Sequence, residues 1–223
     1  REAFKILWEY DIDINNLQCP ISNKSPLQHN CSGKHAAFLA TCKKLNWPIE
    51  TYLKGDNPLQ IEIFRIISEL LQIPLSEIKA ERDDCGAPTL YLKLLEMSKL
   101  YSLLSSSENA ELEQISRAIT SHPLMISDNN KFDTEVIKAS HGQVIGKGGA
   151  EGIQCLCKVN EGIGLALKVE DGSKRAKHAV SLHLLKQLEW ISDLRIQDIE
   201  EKVFNFSEGV RIEVKGQLKF QES

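Results

Sequence analysis

The sequence lacks the features that would place it in a membrane or on a nucleic acid. No apolar stretch approaches the roughly 20 residues of a membrane-spanning helix, and no secretory signal peptide is recognisable. Long runs of Lys and Arg are also absent, and the formal net charge is -4. Strong positive charge is what nucleic acids and anionic membranes attract. We therefore expect a protein with no nucleic-acid partner and no membrane partner.

Internal repeats, low-complexity linkers and a clear domain boundary are absent too. The 223 residues are 42% hydrophobic and 26% charged, which is typical of a globular protein with a sizeable core. The sequence thus predicts a single domain over residues 1–223. The chain opens on Arg1 in what reads as the middle of an amphipathic helix, so we expect it to be the C-terminal portion of a longer protein.

Six cysteines are present, but the chain is neither small nor preceded by a secretory signal, so we expect free thiols in the reducing cytoplasm. Cys42 falls on the apolar face of a predicted helix. Cys155 and Cys157 alternate along a predicted strand. Core packing accounts for Cys42. Cys31 and Cys85 differ, because each lies in a polar cluster that contains glycine.

Hydrophobic periodicity predicts helices in the first part of the chain and antiparallel strands later, which is an α+β arrangement with an antiparallel sheet flanked by helices. The predicted helices cover about 2–10, 33–47, 57–72, 88–104 and 110–121, with another after Ser173. The predicted strands cover about 78–82, 144–146, 152–158 and 162–169, with a hairpin of 210–214 and 217–220.

The first polar cluster, residues 29–35, places a thiol and an amine at the mouth of a predicted helix, with Asn30 or Ser32 as the expected cap. Unpaired backbone N–H groups at that position stabilise anions. A thiolate there has a lowered pKa, so Cys31 is a candidate nucleophile or metal ligand.

The second polar cluster, residues 83–89, adds Cys85 and the pair Asp83 and Asp84. Two cysteines from separate loops can hold a zinc ion, with Lys34 as a third ligand only if its amine is neutral. The alternative is a cationic Lys34 paired with thiolates or with Asp83. Of the two aspartates, we expect one to face the site and the other to face solvent or cap a helix.

Neither the first cluster nor the glycine-rich third cluster, residues 146–152, matches a phosphate-binding motif. A P-loop fails around Lys34, because His35 replaces the required Ser or Thr, and the dinucleotide fingerprint fails at Glu151. Lys147 is flanked by glycines, so its amine can approach a bound group closely and act as a proton acceptor if its proton is lost.

Taken in order, the three clusters and a fourth segment resemble the asparaginase II family, the rhizobial or thermolabile type of L-asparaginase. The matching segments are 30–36, 83–89, 147–152 and 167–176. The resemblance implies hydrolysis of L-asparagine to L-aspartate and ammonia, a fold similar to that of serine β-lactamases and glutaminases, and a homodimer.

The resemblance also implies roles for individual residues. It implies a zinc site formed by Cys31, Lys34 and Cys85, with Asp83 beside it and Lys147 acting with a nucleophilic serine. We expect Asp83 and Lys147 to be catalytic. The residues expected to bind substrate are Asn30, Ser32, His35, Gly148 and Glu151.

Two departures from the family pattern leave alternatives open. The Arg-Ser-x-x-Lys-Pro and Ser-His motifs of the family do not occur in these 223 residues, and Asp84 stands where the family usually has glycine. The nucleophilic serine is therefore expected in an N-terminal section outside this chain. The alternatives are a cysteine amidohydrolase using Cys31, a non-catalytic paralogue that binds an amino acid or a metal, and a truncated product that folds poorly.

Overall fold

The structure is a computed structural model that describes residues 2–20, 25–204 and 212–218. The chain divides into two compact units, Arg1–Leu92 and Lys93–Ser223. Both units contain helices and one small antiparallel sheet, which confirms the predicted α+β class. The single domain over residues 1–223 and the likeness to serine β-lactamases stay predictions.

The first unit is mostly helical. Its core is formed by apolar side chains of the first two helices together with the fully buried ring of Tyr52 and the thiol of Cys42, which confirms the packing role predicted for Cys42. The described elements are α1 (Glu2–Glu9), α2 (Ser32–Lys44), α3 (Pro58–Leu71), β1 (Ala80–Arg82) and β2 (Pro88–Leu90), with 3-10 turns at Ile14–Asn16, Pro26–Gln28 and Leu75–Glu77.

The helix predicted to begin at Pro88 is wrong at its start. Pro88 instead pairs with Arg82 in the hairpin of β1 and β2, so the chain is extended there. The helix begins later, at Leu94, where the side chain of Glu96 accepts the N–H of Lys93 at 2.7 Å. The local turn chemistry of residues 83–87 thus overrides the usual preference for proline in a first helical turn.

The second unit contains a three-stranded antiparallel sheet in the order β3-β4-β5, which confirms the predicted meander. Its helices lie before and after the sheet in sequence. The elements are α4 (Leu94–Ser105), α5 (Ala110–Ser121), α6 (Pro123–Ile126), α7 (Phe132–Ala139), β3 (Val144–Gly148), β4 (Ile153–Lys158), β5 (Ile163–Lys168), α8 (Lys174–Gln187) and α9 (Asp193–Val203).

Helices cover both faces of this sheet. On one face α4 packs so closely that the backbone of Ser98 and Ser102 lies directly over Gly164. On the other face Leu156 and Val136 of α7 belong to one buried cluster that also includes residues of α8 and α9. Gln154 and Leu156 are two residues apart on β4, so both side chains lie on this second face. The polar side chain of Gln154 there matters for the site described below.

The sequence pattern missed several elements and reached beyond the described residues at one. Helices α6, α7 and α9 and strand β2 had no predicted counterpart. The predicted hairpin of 210–214 and 217–220 lies partly outside the described residues, and 212–218 contain no strand. Across 2–20, 25–204 and 212–218, none of the helices combines the length and the apolar character needed to cross a membrane.

Candidate functional site

The first cluster lies at the start of α2, as predicted, but the helix is capped differently. Cys31 occupies the position before the helix and forms no side-chain cap bond. Its N–H is instead accepted by the Nδ1 atom of His29 at 3.1 Å. Cys31 is half-buried, whereas the other five cysteines are buried. Its thiol is therefore the most accessible sulfur of the six.

The first and second clusters meet through Lys34 and Asp83. The Nζ atom of Lys34 donates to Oδ2 of Asp83 at 2.9 Å. The other oxygen, Oδ1, accepts the N–H groups of Cys85 at 2.9 Å and Ala87 at 3.1 Å. One carboxylate therefore fixes the hairpin turn and anchors the lysine. Asp84 is exposed, as expected for the member of the pair that faces solvent.

Asp83 and Lys34 each stabilise the charged form of the other. Burial raises the pKa of Asp83, but hydrogen bonds from Cys85 and Lys34 outweigh it and lower that pKa to about 2. Burial lowers the pKa of Lys34, but bonds to Asp83 and Cys85 outweigh it and raise that pKa. Burial and the contact with Asp83 raise the pKa of the Cys85 thiol. Lys34 is thus a cation and Asp83 an anion.

His35 is fully buried and lies beneath this cluster. Its Nδ1 atom is 2.6 Å from the hydroxyl oxygen of Tyr52, which also accepts the N–H of Gln18 at 2.9 Å. Burial lowers the pKa of His35 to about 4, so its ring is neutral. Its Nε2 atom has no hydrogen-bond partner among the described residues. The predicted substrate contact of His35 stays a prediction.

The other predicted substrate-binding residues of the first cluster lie close to Cys31 in sequence but differ in exposure. Asn30 is exposed, whereas Ser32 is buried in the first turn of α2. Neither residue provides the side-chain cap that the sequence predicts for this helix. Their predicted contacts with substrate stay predictions.

The zinc donors implied by the sequence can be tested against this geometry. No group of three His, Cys, Asp or Glu side chains converges to hold a metal ion within the part of the chain that the structure describes. The implied set is two thiols, Cys31 and Cys85, and the amine of Lys34. An amine that binds a metal must lose one proton, and Asp83 can still accept one of its remaining N–H bonds. Two thiolates and a neutral amine are donors that suit zinc, so binding it would require Lys34 to give up the proton that its ion pair with Asp83 favours.

The third cluster lies in the second unit, at the end of β3. Lys147 is exposed, and its Nζ atom donates to the carbonyl of Gly148 at 2.5 Å. Directly opposite it on β4 is Cys155, which is buried and whose thiol pKa is raised by burial to about 11. Cys155 and Cys157 lie on the same strand, as predicted, and both are buried.

The third and fourth motifs come together around a tight turn. Glu151 and Gly152 both have positive φ angles, of 53° and 73°. The carbonyl of Gly152 accepts the N–H of Val169 at 3.1 Å. A Cβ atom on Gly152 would lie 3.0 Å from the Val169 side chain, so the turn requires glycine there. The exposed Glu151 carboxylate lies beside Gly172 of the fourth motif.

Sequence reasoning missed three buried polar residues behind this turn: Asp133, Gln154 and Lys177. Oδ2 of Asp133 accepts the N–H of Gly148 at 2.9 Å, and Nζ of Lys177 donates to the carbonyl of Gly149 at 3.0 Å. The available signal was Gln154, a polar residue two positions before Leu156 and therefore on the same core-facing side of the predicted strand. Asp133 and Lys177 gave no such signal.

Comparison with known proteins gives one family. The family model described as L-asparaginase II matches residues 1–220, which is nearly the whole chain. No curated protein matches the chain significantly. The first and second motifs lie in the first unit, and the third and fourth lie in the second. The roles of the individual site residues stay predictions.

Proposed function

Because this chain belongs to the L-asparaginase II family, we propose that it is an amidohydrolase that converts L-asparagine to L-aspartate and ammonia. The observation that carries this proposal is the family match over residues 1–220. The proposal includes a cytoplasmic location, because the free thiols suit a reducing compartment, and a homodimeric assembly, which the family resemblance implies.

The proposed reaction is an acyl transfer through a serine. The serine oxygen attacks the side-chain amide carbon and gives its proton to a neutral lysine. The carbon–nitrogen bond then breaks, and the departing nitrogen takes that proton and leaves as ammonia. Water hydrolyses the resulting ester and releases L-aspartate and the serine. Lys147 is our candidate for a partner in this proton relay, because its amine is exposed and its glycine neighbours leave room for a bound group to approach it.

The Lys34–Asp83 pair suits the proposed substrate. L-Asparagine carries a carboxylate and an ammonium group, and in the metal-free protein this pair presents one positive and one negative group 2.9 Å apart. Both side chains are partly exposed, at 39% and 28%. We propose that the first cluster orients the substrate and that Asp83 takes part in the reaction through its contact with Lys34.

Zinc belongs to the proposal as a bound group at the first cluster. Cys31, Lys34 and Cys85 would hold it, and a bound zinc ion acts as a Lewis acid that orients and polarises a carbonyl oxygen. Asp83 would keep the metal-bound amine of Lys34 in place by accepting one of its N–H bonds. The residues themselves remain responsible for positioning the substrate.

The activity is tested by measuring ammonia release from L-asparagine and, separately, from L-glutamine with the protein as its gene encodes it. We expect turnover of L-asparagine and a loss of roughly 100-fold or more in kcat for Lys147→Met. Lys158→Met is the matched control, because Lys158 lies on the neighbouring strand outside all four motifs. Binding of L-asparagine without ammonia release would contradict the hydrolase and favour a binding paralogue.

The nucleophile is tested by covalent trapping. A reactive amide analogue should still label the protein after Cys31→Ser if serine is the nucleophile. Loss of labelling in Cys31→Ser, with the fold intact and labelling retained in Cys85→Ser, would contradict the serine mechanism and assign the attack to the half-buried Cys31 thiol.

Zinc binding is tested by elemental analysis after purification in the presence of zinc. We expect the Cys85→Ser protein to lose the metal and the Cys155→Ser protein to retain it. The two thiols make a matched pair, because both are 2% exposed. Equal zinc content in both variants, or none in the unaltered protein, would contradict the assigned site.

A further inference from the structure

A buried carboxylate holds the backbone directly after Lys147. Asp133 is 8% exposed and lies on α7. Its Oδ2 atom accepts the N–H of Gly148 at 2.9 Å, and its Oδ1 atom accepts the side-chain amide of Gln154 at 2.8 Å. Because Gln154 pairs with Gly148 across β3 and β4, the two contacts fix the end of β3 from the same side.

A buried lysine holds the next peptide. Lys177 is 4% exposed, and its Nζ atom donates to the carbonyls of Gly149 and Ile153, each at 3.0 Å. Burial lowers the pKa of this amine, and the nearby Asp133 opposes that shift. Taking a cation out of water is costly unless it is paired, so two carbonyls and a neighbouring carboxylate are the compensation expected of a fixed ammonium.

These side chains converge on Gly148 so closely that any added side chain would have to displace one of them. A Cβ atom there would lie 2.8 Å from Nζ of Lys177, 3.1 Å from Oε1 of Gln154 and 3.4 Å from Oδ2 of Asp133. The Oε1 atom of Gln154 has no hydrogen-bond partner among the described residues. A buried oxygen without a donor costs free energy, which is unusual in a part of the core that serves packing alone.

We propose that Asp133 and Lys177 are positioning residues for the Lys147 amine, an inference that rests on the proposed function of Lys147 in the proton relay. The carbonyl of Gly148 accepts the Lys147 amine at 2.5 Å. Asp133 fixes the peptide before that carbonyl through its N–H, and Lys177 fixes the peptide after it through the Gly149 carbonyl. The Gly148 carbonyl, which accepts the Lys147 amine, is thereby held in place through the peptides on both sides of it.

The direct test uses Asp133→Asn and Lys177→Met in the protein as its gene encodes it. Asparagine has a single acceptor oxygen and cannot serve both Gly148 and Gln154, whereas methionine keeps the buried stem of Lys177 and removes its donors. We expect faster amide exchange at Gly148 and faster acylation of the Lys147 amine, followed by mass spectrometry. We also expect kcat to fall roughly 10- to 100-fold while KM stays within about twofold.

Glu135→Gln is the control for simple loss of stability. Glu135 lies on the same helix, is 3% exposed and bonds to Lys138 and Lys202, with no contact to the glycine turn among its hydrogen bonds. A variant that only destabilises the unit should lower the melting temperature without changing the acylation of Lys147 or the kcat of the folded protein.

Gly148→Ala is a second variant in case removal of a buried charge prevents folding. It deletes no polar group, and its added methyl displaces the Lys177 ammonium from its two carbonyls. It should change Lys147 acylation in the same direction as Lys177→Met.

The outcomes separate this inference from the proposed function. If the unaltered protein releases no ammonia, the proposed function fails, while exchange at Gly148 and acylation of Lys147 still decide whether the turn is held in this way. Folded Asp133→Asn and Lys177→Met proteins that match the unaltered protein in both measurements would overturn the inference. So would an equal effect of Glu135→Gln on the acylation of Lys147.

Discussion

At the scale of single residues, Asp83 illustrates how one side chain organises a polar cluster. Its Oδ1 atom accepts two backbone N–H groups of the hairpin turn, and its Oδ2 atom accepts the Lys34 amine. Hydrogen bonds to a charged acceptor are roughly twice as strong as neutral ones. The turn and the lysine are consequently coupled, so a change at Asp83 alters both.

The variant Asp83→Asn should therefore destabilise the protein, by about 1–3 kcal/mol, because an amide leaves one of the three donors without an acceptor. The neighbouring Asp84→Asn is the matched control, since Asp84 is exposed and should change stability by less than about 0.5 kcal/mol. Denaturant unfolding measures both values. Equal unfolding free energies for the two variants would contradict the role assigned to Asp83.

Local sequence signals single out the reactive side chains of the candidate site but not the buried residues that support it. Cys31, Lys34, Cys85 and Lys147 stand in short clusters of reactive groups and glycine, which is a local signal. Asp133 shows the opposite case. It is distant in sequence from the turn that it holds, so only the folded chain reveals the contact with Gly148.

At the scale of secondary-structure elements, periodicity predicted the long helices and the strands but not every boundary. The stripe of apolar residues in α4 placed that helix correctly. Its start was misplaced because Pro88 belongs equally well to a first helical turn and to the edge of a short hairpin. Pairing of Pro88 with Arg82 decides between these, and that pairing depends on the Asp83 turn.

The packing of α4 on β5 gives the sharpest prediction at this scale. In Gly164→Ala the added methyl would overlap the Ser98 carbonyl and the Ser102 N–H of the α4 backbone, neither of which can rotate away. We expect a loss of unfolding free energy of about 3 kcal/mol or more. Gly55→Ala is the control, because a Cβ there meets nothing within 4 Å.

Thermal and denaturant unfolding followed by circular dichroism measure this difference. An unfolding free energy for Gly164→Ala within about 0.5 kcal/mol of that for Gly55→Ala would show that α4 does not pack on the sheet as described.

Helices α7 and α9 are joined through Glu135, and this contact predicts a dependence on pH. Burial raises the pKa of Glu135, but bonds from Lys202 and Lys138 outweigh it and lower the pKa below its ordinary value of 4.5. A carboxylate with a lowered folded-state pKa stabilises the protein above its unfolded pKa, and that stabilisation is lost as the pH falls.

The unaltered protein should therefore be more stable than Glu135→Gln at neutral pH, and the difference should shrink below about pH 4.5. Urea unfolding across that range measures it. Glu161→Gln, at an exposed glutamate, serves as the control and should show no such trend. A difference between the two proteins that stays constant or grows on acidification would contradict the assigned ion pairs.

At the scale of the whole molecule, the two pairs of motifs divide between two units with separate cores. The thiol and lysine donors lie in Arg1–Leu92, and the glycine turn with Lys147 lies in Lys93–Ser223. Composition and length predicted an α+β protein with enough apolar residues for a core. They did not predict two cores, because hydrophobic content reports how much surface is buried and not how it is partitioned.

This division makes removal of the proposed zinc a local event with a measurable signature. A metal bound by Cys31, Lys34 and Cys85 ties the start of α2 to the hairpin turn, and its loss removes that link without touching the second unit's core. Treatment with a chelator should raise amide exchange in 25–35 and 83–90 and leave 132–158 unchanged. Hydrogen-exchange mass spectrometry of both forms measures this.

The matched control for that experiment is the Cys85→Ser protein, in which the chelator should have no effect because the site is already broken. Increased exchange across 132–158 would mean that the metal supports the second unit as well, against the separation of the two cores. Unchanged exchange in 25–35 and 83–90, in protein shown to have lost zinc, would place the metal elsewhere. Restored protection on adding zinc back would tie the effect to the metal itself, since a chelator-induced loss of structure by any other route is not reversed by the ion.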